Sequence, residues 1–175
     1  MSLGSSTSLA VDRAVGLVNL HVESDGAISQ HDLQQLLTAY TPDGGQLDTA
    51  AFDQLGAELH DALHALAPDE RVRRINGLLE CLQPIPRLRL HDDLHDEPGA
   101  YFEYGVAGTD ADRIAAVLVM SIANAVVEEG AERFGWCAAP QCERLFFDRS
   151  RNRSQRFCSR MCATRVHVRA HRARQ

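Results

Sequence analysis

Lysine is absent from this chain: all 18 basic side chains are arginines. Every fixed positive charge is therefore a planar guanidinium, the head group suited to bidentate contacts with phosphates and guanine edges. Long apolar runs are also missing. The longest, around 114–127, is broken by Ser121 and Asn124, and the mean hydropathy is −0.24. That falls short of the ~20 uninterrupted apolar residues of a membrane span, so no membrane partner is expected. The first residues, Met-Ser-Leu-Gly-Ser-Ser-Thr-Ser, lack a basic stretch followed by an apolar one. They read as a flexible lead over 1–8 rather than a secretory leader, and the expected compartment is the cytoplasm. No G-x-S-x-G, P-loop or G-x-G-x-x-G occurs, so nothing argues for an enzyme.

Five cysteines are present, and four of them, Cys137, Cys142, Cys158 and Cys162, spell C-x4-C-x15-C-x3-C. Two close pairs joined by a loop long enough to fold back suit one tetrahedral Zn²⁺. The segment 136–175 is too short to bury a self-sufficient core, and a structural zinc supplies roughly 10–16 kcal/mol in modules of this size. Two disulfides or a redox site are the alternatives. The first lacks signs of export, and the second lacks a C-x-x-C. The fifth, Cys81, lies in an apolar helical stretch and is expected to be a buried, small hydrophobic residue.

Charge is segregated. Residues 133–175 hold 11 arginines against Glu143 and Asp148, a balance of +9, whereas 1–132 hold seven arginines against 22 acids, a balance of −15. An acidic body with a basic C-terminal segment points to an acidic partner, with nucleic acid foremost.

Periodicity predicts a mainly α (α+β) architecture. Val11, Val15, Val18 and Val22 mark a helix over 9–22. Ser29, with Asp32 three residues on, opens a second carrying Leu33, Leu36, Leu37 and Tyr40. A third begins near Asp48, with Phe52, Leu55, Leu59, Leu63 and Leu66 inward. A fourth runs from Pro68 to Leu82, with Val72, Ile75, Leu79 and Leu82 inward. Alternation over 87–91 and 101–106 predicts a strand pair. Asp110 is expected to cap a long, central helix over 111–129 that ends at Gly130. In the basic segment, Cys137–Cys142 forms a knuckle. The stretches 145–147 and 156–157 are expected to pair as a hairpin with an aromatic mini-core, and Ser159 to cap a helix bearing Cys162. The whole is treble-clef-like. Arg165, Arg169 and Arg172 fall on one face of that helix, and Val166, Ala170 and Ala173 on another, fit to pack inward.

These residues resemble a known family. Arg144-Leu-Phe-Phe-Asp-Arg-Ser-Arg-Asn152, Arg156-Phe-Cys-Ser159 and Cys162-Ala-Thr-Arg165 are similar to the CGNR zinc finger of bacterial proteins. Upstream, the Leu17-Val18-Asn19 start, Leu-rich helices, strand pair and Ala-rich last helix resemble the ABATE domain that precedes this finger in predicted stress-induced transcriptional regulators. The resemblance implies zinc held by the four cysteines and a DNA-binding finger. The signature's Gly-Asn is replaced by Ala163-Thr164, and Thr offers one donor where Asn offers two donors and an acceptor.

The candidate nucleic-acid residues are Arg149, Arg151, Asn152, Arg153 and Arg156 around the loop, and Arg165, Arg169 and Arg172 on the helix. Arg144, Arg160 and Arg174 carry no assigned orientation. So small a module buries limited surface, so tight specific binding calls for a homodimer. RNA or ribosome association is the competing reading of the same arginines. A third is a small-molecule-binding or enzymatic body with a purely structural finger, its pocket lined by His60, His64 or the 91–97 cluster. His60-Asp-Ala-Leu-His64 mimics H-E-x-x-H, but Asp is a methylene too short and no third ligand is apparent, so a helix edge is the plainer reading. His167 and His171 are expected at the surface. The cluster His91, Asp92, Asp93, His95, Asp96 and Glu97 reads as a solvated loop.

Overall fold

A computed structural model describes residues 5–41, 44–65, 67–90 and 100–172. The chain runs α1 (Ser5–Glu23), α2 (Gln30–Leu37), α3 (Thr49–His64), α4 (Pro68–Leu82), β1 (Ile85–Leu90), β2 (Ala100–Gly105) and α5 (Asp110–Glu129). A 3-10 turn (Ala131–Arg133), β3 (Phe134–Trp136), β4 (Leu145–Phe147) and α6 (Arg160–Arg172) complete it. The expected mainly helical body with one hairpin, followed by a four-cysteine unit, is the observed architecture. Leu66, the 91–97 cluster, Ala173 and Arg174 lie outside the described residues.

Local chemistry sets the helix starts. Ser29 Oγ accepts from Asp32 N at 3.1 Å, and Asp48 Oδ1 accepts from Ala51 N at 3.0 Å, each satisfying an orphan donor of a first turn. At α5 the cap is Thr109 rather than Asp110. Its hydroxyl accepts from Asp112 N at 3.2 Å, while Asp112 Oδ2 accepts from Thr109 N at 2.7 Å. The displacement by one residue follows from the box needing an acid at the third helical position, where Asp112 stands.

Helix α5 is central, as its composition implies, packing on α1, α3, α4, β2 and the 3-10 turn. Helix α1 shares the centre: Val11, Ala14, Leu17 and Val18 are fully buried, and it meets α2, α3, α5 and β4. Two inward assignments fail. Val72 is exposed because the short α4 buries only Ile75 fully, with Leu78, Leu79 and Leu82 half-buried. Cys81 is exposed, lying at the open cleft between α3, α4 and α5 rather than in the packed interior.

The hairpin expected between 145–147 and 156–157 does not form. β4 pairs with β3 instead, Phe134 opposite Phe147 and Trp136 opposite Leu145. Residue 156 contributes one bond, its carbonyl accepting from Ala138 N at 2.8 Å. Gly135 permits the β3–β4 pairing, since a Cβ there would lie 2.7 Å from the Phe146 ring opposite. The aromatics consequently divide. Phe134, Leu145 and Phe147 join the main core, while Phe157 and Val166 pack with the cysteines in a separate cluster.

Asn19 of α1 fixes this hairpin on the body. Its Oδ1 accepts from Leu145 N at 2.7 Å and its Nδ2 donates to Leu145 O at 3.1 Å, so one carboxamide satisfies both groups of an edge residue. Asn19→Ala should lower unfolding stability by about 1–3 kcal/mol, because it leaves a donor and an acceptor unpaired beside the core. Denaturant titration followed through Trp136, the single tryptophan, measures it.

Candidate metal centre and basic surface

The four cysteines predicted as ligands converge. Cys137 ends β3's extension, Cys142 closes the knuckle, Cys158 precedes α6 and Cys162 sits in its first turn. Their sulfurs all lie within 4.8 Å of one another. Cys142–Cys158, Cys158–Cys162 and Cys162–Cys142 are separated by 3.8, 3.7 and 3.8 Å. A tetrahedron with Zn–S bonds of about 2.3 Å has S–S edges of about 3.8 Å. A disulfide bond needs about 2.05 Å, so these are not disulfide-bonded pairs. The cluster fits one structural Zn²⁺, and among the described residues it is the only group of three or more potential ligands in reach of one ion.

The backbone prepares the site. The knuckle closes through Cys137 N to Arg144 O at 2.9 Å and Cys142 N to Ala139 O at 3.1 Å, with Gln141 in left-handed conformation at φ 62°. Cys158 N donates to Cys137 Sγ at 3.4 Å. Burial opposes ionisation of Cys137, yet amide donation from Cys158 and Ala139 outweighs it and brings the thiol down to about 7. Burial and three sulfur neighbours push Cys158 up to about 12. Sulfurs this close ionise together only around a multivalent cation, the role zinc fills. Arg165 adds to this, its Nη2 donating to Cys162 Sγ at 3.6 Å, where a guanidinium offsets thiolate charge.

The eight candidate nucleic-acid residues occupy three environments. Arg149 and Arg153 face the body. Arg149 pairs with Asp12 at 2.7 Å, bonds Ser8 and lies over the Phe147 ring, while Arg153 pairs with Glu132. Arg151 and Asn152 stand exposed at the loop tip, and Arg156 is exposed beside the Phe157 ring. Arg165, Arg169 and Arg172 form an exposed stripe along α6; of the face expected to pack inward, Val166 is half-buried against the cysteines, but Ala170 is exposed because it lies about two turns beyond them. Of the residues without an assigned orientation, Arg144 pairs with Glu23 on α1, and Arg160 lines with Arg156 an open cleft at the start of α6.

Asp148, one of two acids among the arginines and part of the family-like stretch 144–152, carries a structural role that its spacing does not reveal. It is buried, and its carboxylate accepts from Ser150 N at 2.7 Å and Gln155 N at 2.9 Å, closing the loop on itself. Burial alone would raise its pKa. The Ser150 and Gln155 bonds and the Arg133 charge prevail and hold it below the usual carboxylate range. Arg133 Nη1 donates to the carbonyls of Asp148 and Ser150 at 2.9 and 2.7 Å. The tip carrying Arg151 and Asn152 is thus bolted down rather than free.

The histidine pair has another use. His60 and His64 stack at 5.4 Å and both contact the Trp136 ring, at 5.0 and 5.1 Å, one residue before the first cysteine. His167 and His171 are exposed on α6 and stand outside the cysteine group. A cleft of the body lies between α3, α4 and α5, a volume of about 150 Å³ lined by Leu55, Leu78, Cys81, Leu82 and Ala115, and His60 and His64 do not line it.

Comparison with known proteins agrees with this geometry. Residues 133–175 match the family model of the CGNR zinc finger. The ABATE domain expected upstream is not detected by a family model. No curated protein matches the chain.

Three outcomes follow. Without metal Cys158 holds its proton throughout the working range and Cys137 takes one up below about 7, so zinc affinity should fall as pH drops and fall more steeply below neutral; chelator competition across pH reads this. Cys158→Ser should abolish the one-zinc stoichiometry while most helical dichroism persists, since α1–α5 have their own core. Asp148→Asn should cost about 1–3 kcal/mol at neutral pH, by leaving two amides with a weaker acceptor. With the folded carboxyl depressed, that contribution is present above the ordinary carboxylate range and fades as pH falls through the folded value. The gap between wild type and variant in unfolding free energy should therefore narrow in acid.

Proposed function

We propose that the chain is a zinc-dependent DNA-binding protein of the cytoplasm, acting as a transcriptional regulator and not as an enzyme. The observation that carries this reading is the exposed stripe Arg165, Arg169 and Arg172 on α6, continued by Arg156 and by Arg151 and Asn152 at the braced loop tip. Guanidiniums on a rigid helix and a closed loop can engage phosphates in a fixed frame, and Asn152 has the donor–acceptor pair that reads an adenine edge. The finger family matched at 133–175 is consistent with nucleic-acid binding. The acidic body, similar in sequence character to the ABATE domain, would sense a ligand or contact other proteins.

RNA is the competing partner. Sequence-tolerant RNA binding relies on exposed aromatics, whereas Phe146 and Phe147 are buried and Phe157 is half-buried against the cysteines. DNA is the better fit.

Five arginines (151, 156, 165, 169 and 172) remain displayed once Arg149 and Arg153 are set against the body. Neutralising about five phosphates gives a slope of log K on log salt near −4.5. Fluorescence anisotropy on duplex DNA tests it, with selection from random duplexes to identify a site. Arg169→Ala with Arg172→Ala should flatten the slope by about 1.8 and weaken binding to every sequence alike. Conversely, Asp12→Asn with Glu132→Gln releases Arg149 and Arg153 and should steepen it. A slope near zero, or equal affinity for RNA with no enriched duplex, rejects the reading.

A further inference from the structure

The β1–β2 hairpin leaves apolar surface uncovered. Directly opposed residues of an antiparallel pair share a face. The register therefore places Pro86 with Tyr104, Leu88 with Phe102 and Leu90 with Ala100 on one side, and Arg87 with Glu103 and Arg89 with Tyr101 on the other. The first face carries no charge. Tyr104 anchors one end of it to the body, its hydroxyl accepting from Asn124 Nδ2 of α5 at 3.1 Å. Beyond that anchor the face is bare: Leu88, Leu90 and Phe102 are 70%, 75% and 57% exposed. A two-stranded sheet is marginal in water unless something covers it. β2 packs on α5, while β1 packs chiefly on β2.

We propose that this uncharged face is a dimerisation surface and that its occupant is the same face of a second copy of the chain, related by a two-fold axis. Three observations select that occupant. First, the hairpin is the place where two acidic bodies can meet. Counted with the residues between its strands, 85–105 balances at −3, but the face itself bears no charged side chain, so two copies meet on it without setting like charges against each other. Second, the opposite face is largely neutralised within the hairpin, Arg89 Nε donating to Glu103 Oε2 at 2.9 Å, which leaves a net charge of one on it. Third, the area is of the right order. Three large apolar side chains exposed to 57–75% form a patch of roughly a few hundred Å², the scale at which an exposed patch on a monomer is often functional. Two such faces need their rim to reach the ~1,000 Å² of a specific interface, so the dimer is of the weak, concentration-dependent class.

Faces meet here rather than edges. The β1 edge is guarded by Pro86, which has no amide to donate, and antiparallel β1–β1 pairing about Leu88 would set Arg87 of one copy against Arg89 of the other. The interface is isologous, as two-fold closure requires. It does not depend on the nucleic-acid reading, and its test contains no nucleic acid.

Sedimentation equilibrium of the zinc-loaded full chain over a wide concentration range should show a mass rising from one chain towards two. Leu88→Glu and Phe102→Glu should each raise the dimer dissociation constant about a hundredfold or more, with zinc stoichiometry and helical dichroism unchanged. Hydrogen exchange of the wild type provides a second readout that needs no variant: amides of Tyr101–Tyr104 should gain protection as concentration rises. A wild type that stays a single chain at every concentration overturns the proposal and leaves the face to another protein. A dimer indifferent to both substitutions, or hairpin exchange independent of concentration, overturns it equally.

Discussion

The seating of one short hairpin on helix α1 determines where everything in the C-terminal unit ends up. Asn19 supplies both a donor and an acceptor to Leu145, and Phe134, Leu145 and Phe147 enter the body's core beside it. A chain of some forty residues cannot bury an apolar core alone, and metal ligation is the usual remedy. Here a second remedy operates: the strands that carry the first cysteine pair share the core of a larger domain. The cysteine cluster then has only its own small volume to organise, with Phe157 and Val166 packed around it.

That arrangement also distributes the charge. Because β3 and β4 lie on the acidic body, the arginines nearest them meet carboxylates: Arg144 with Glu23, Arg149 with Asp12 and Arg153 with Glu132. These pairs are exposed, and each contributes little to stability. Together they orient the unit and separate docking arginines from displayed ones. Arg165 works on both sides of that division, touching a ligand sulfur while remaining at the surface. The proposed reading of the protein rests on the displayed set alone, whose rigidity comes from α6 and from the loop closed by Asp148 and Arg133.

Much of this was legible in the sequence because it is governed by local rules. The cap at Ser29, the start of α3 near Asp48, the helical stripes of α1 and α3 and the four ligands follow from residue type at fixed spacing. What escaped was non-local. A strand of three residues carries almost no periodicity, so the partner of Leu145–Phe147 was mistaken for the nearby 156–157 instead of 134–136. Cys81 and Val72 sit on stretches whose pattern allows burial, but α4 has too few neighbours to cover them. The His60–His64 spacing, which mimics a metalloprotease motif, serves to pack Trp136, a contact no spacing rule foresees.

The sequence by itself determined the metal and the sign of the surface. Thiolate ligation depends on residue identity and reach along the chain, and net charge is additive whatever the fold. Only the tertiary structure decided which guanidiniums face carboxylates and which face water, that Asn19 and Asp148 are structural linchpins, and that Leu88, Leu90 and Phe102 share an uncovered face. Those outcomes depend on which elements become neighbours. Contacts of that kind join residues more than a hundred positions apart, as Asn19 and Leu145 are, and no local pattern encodes them.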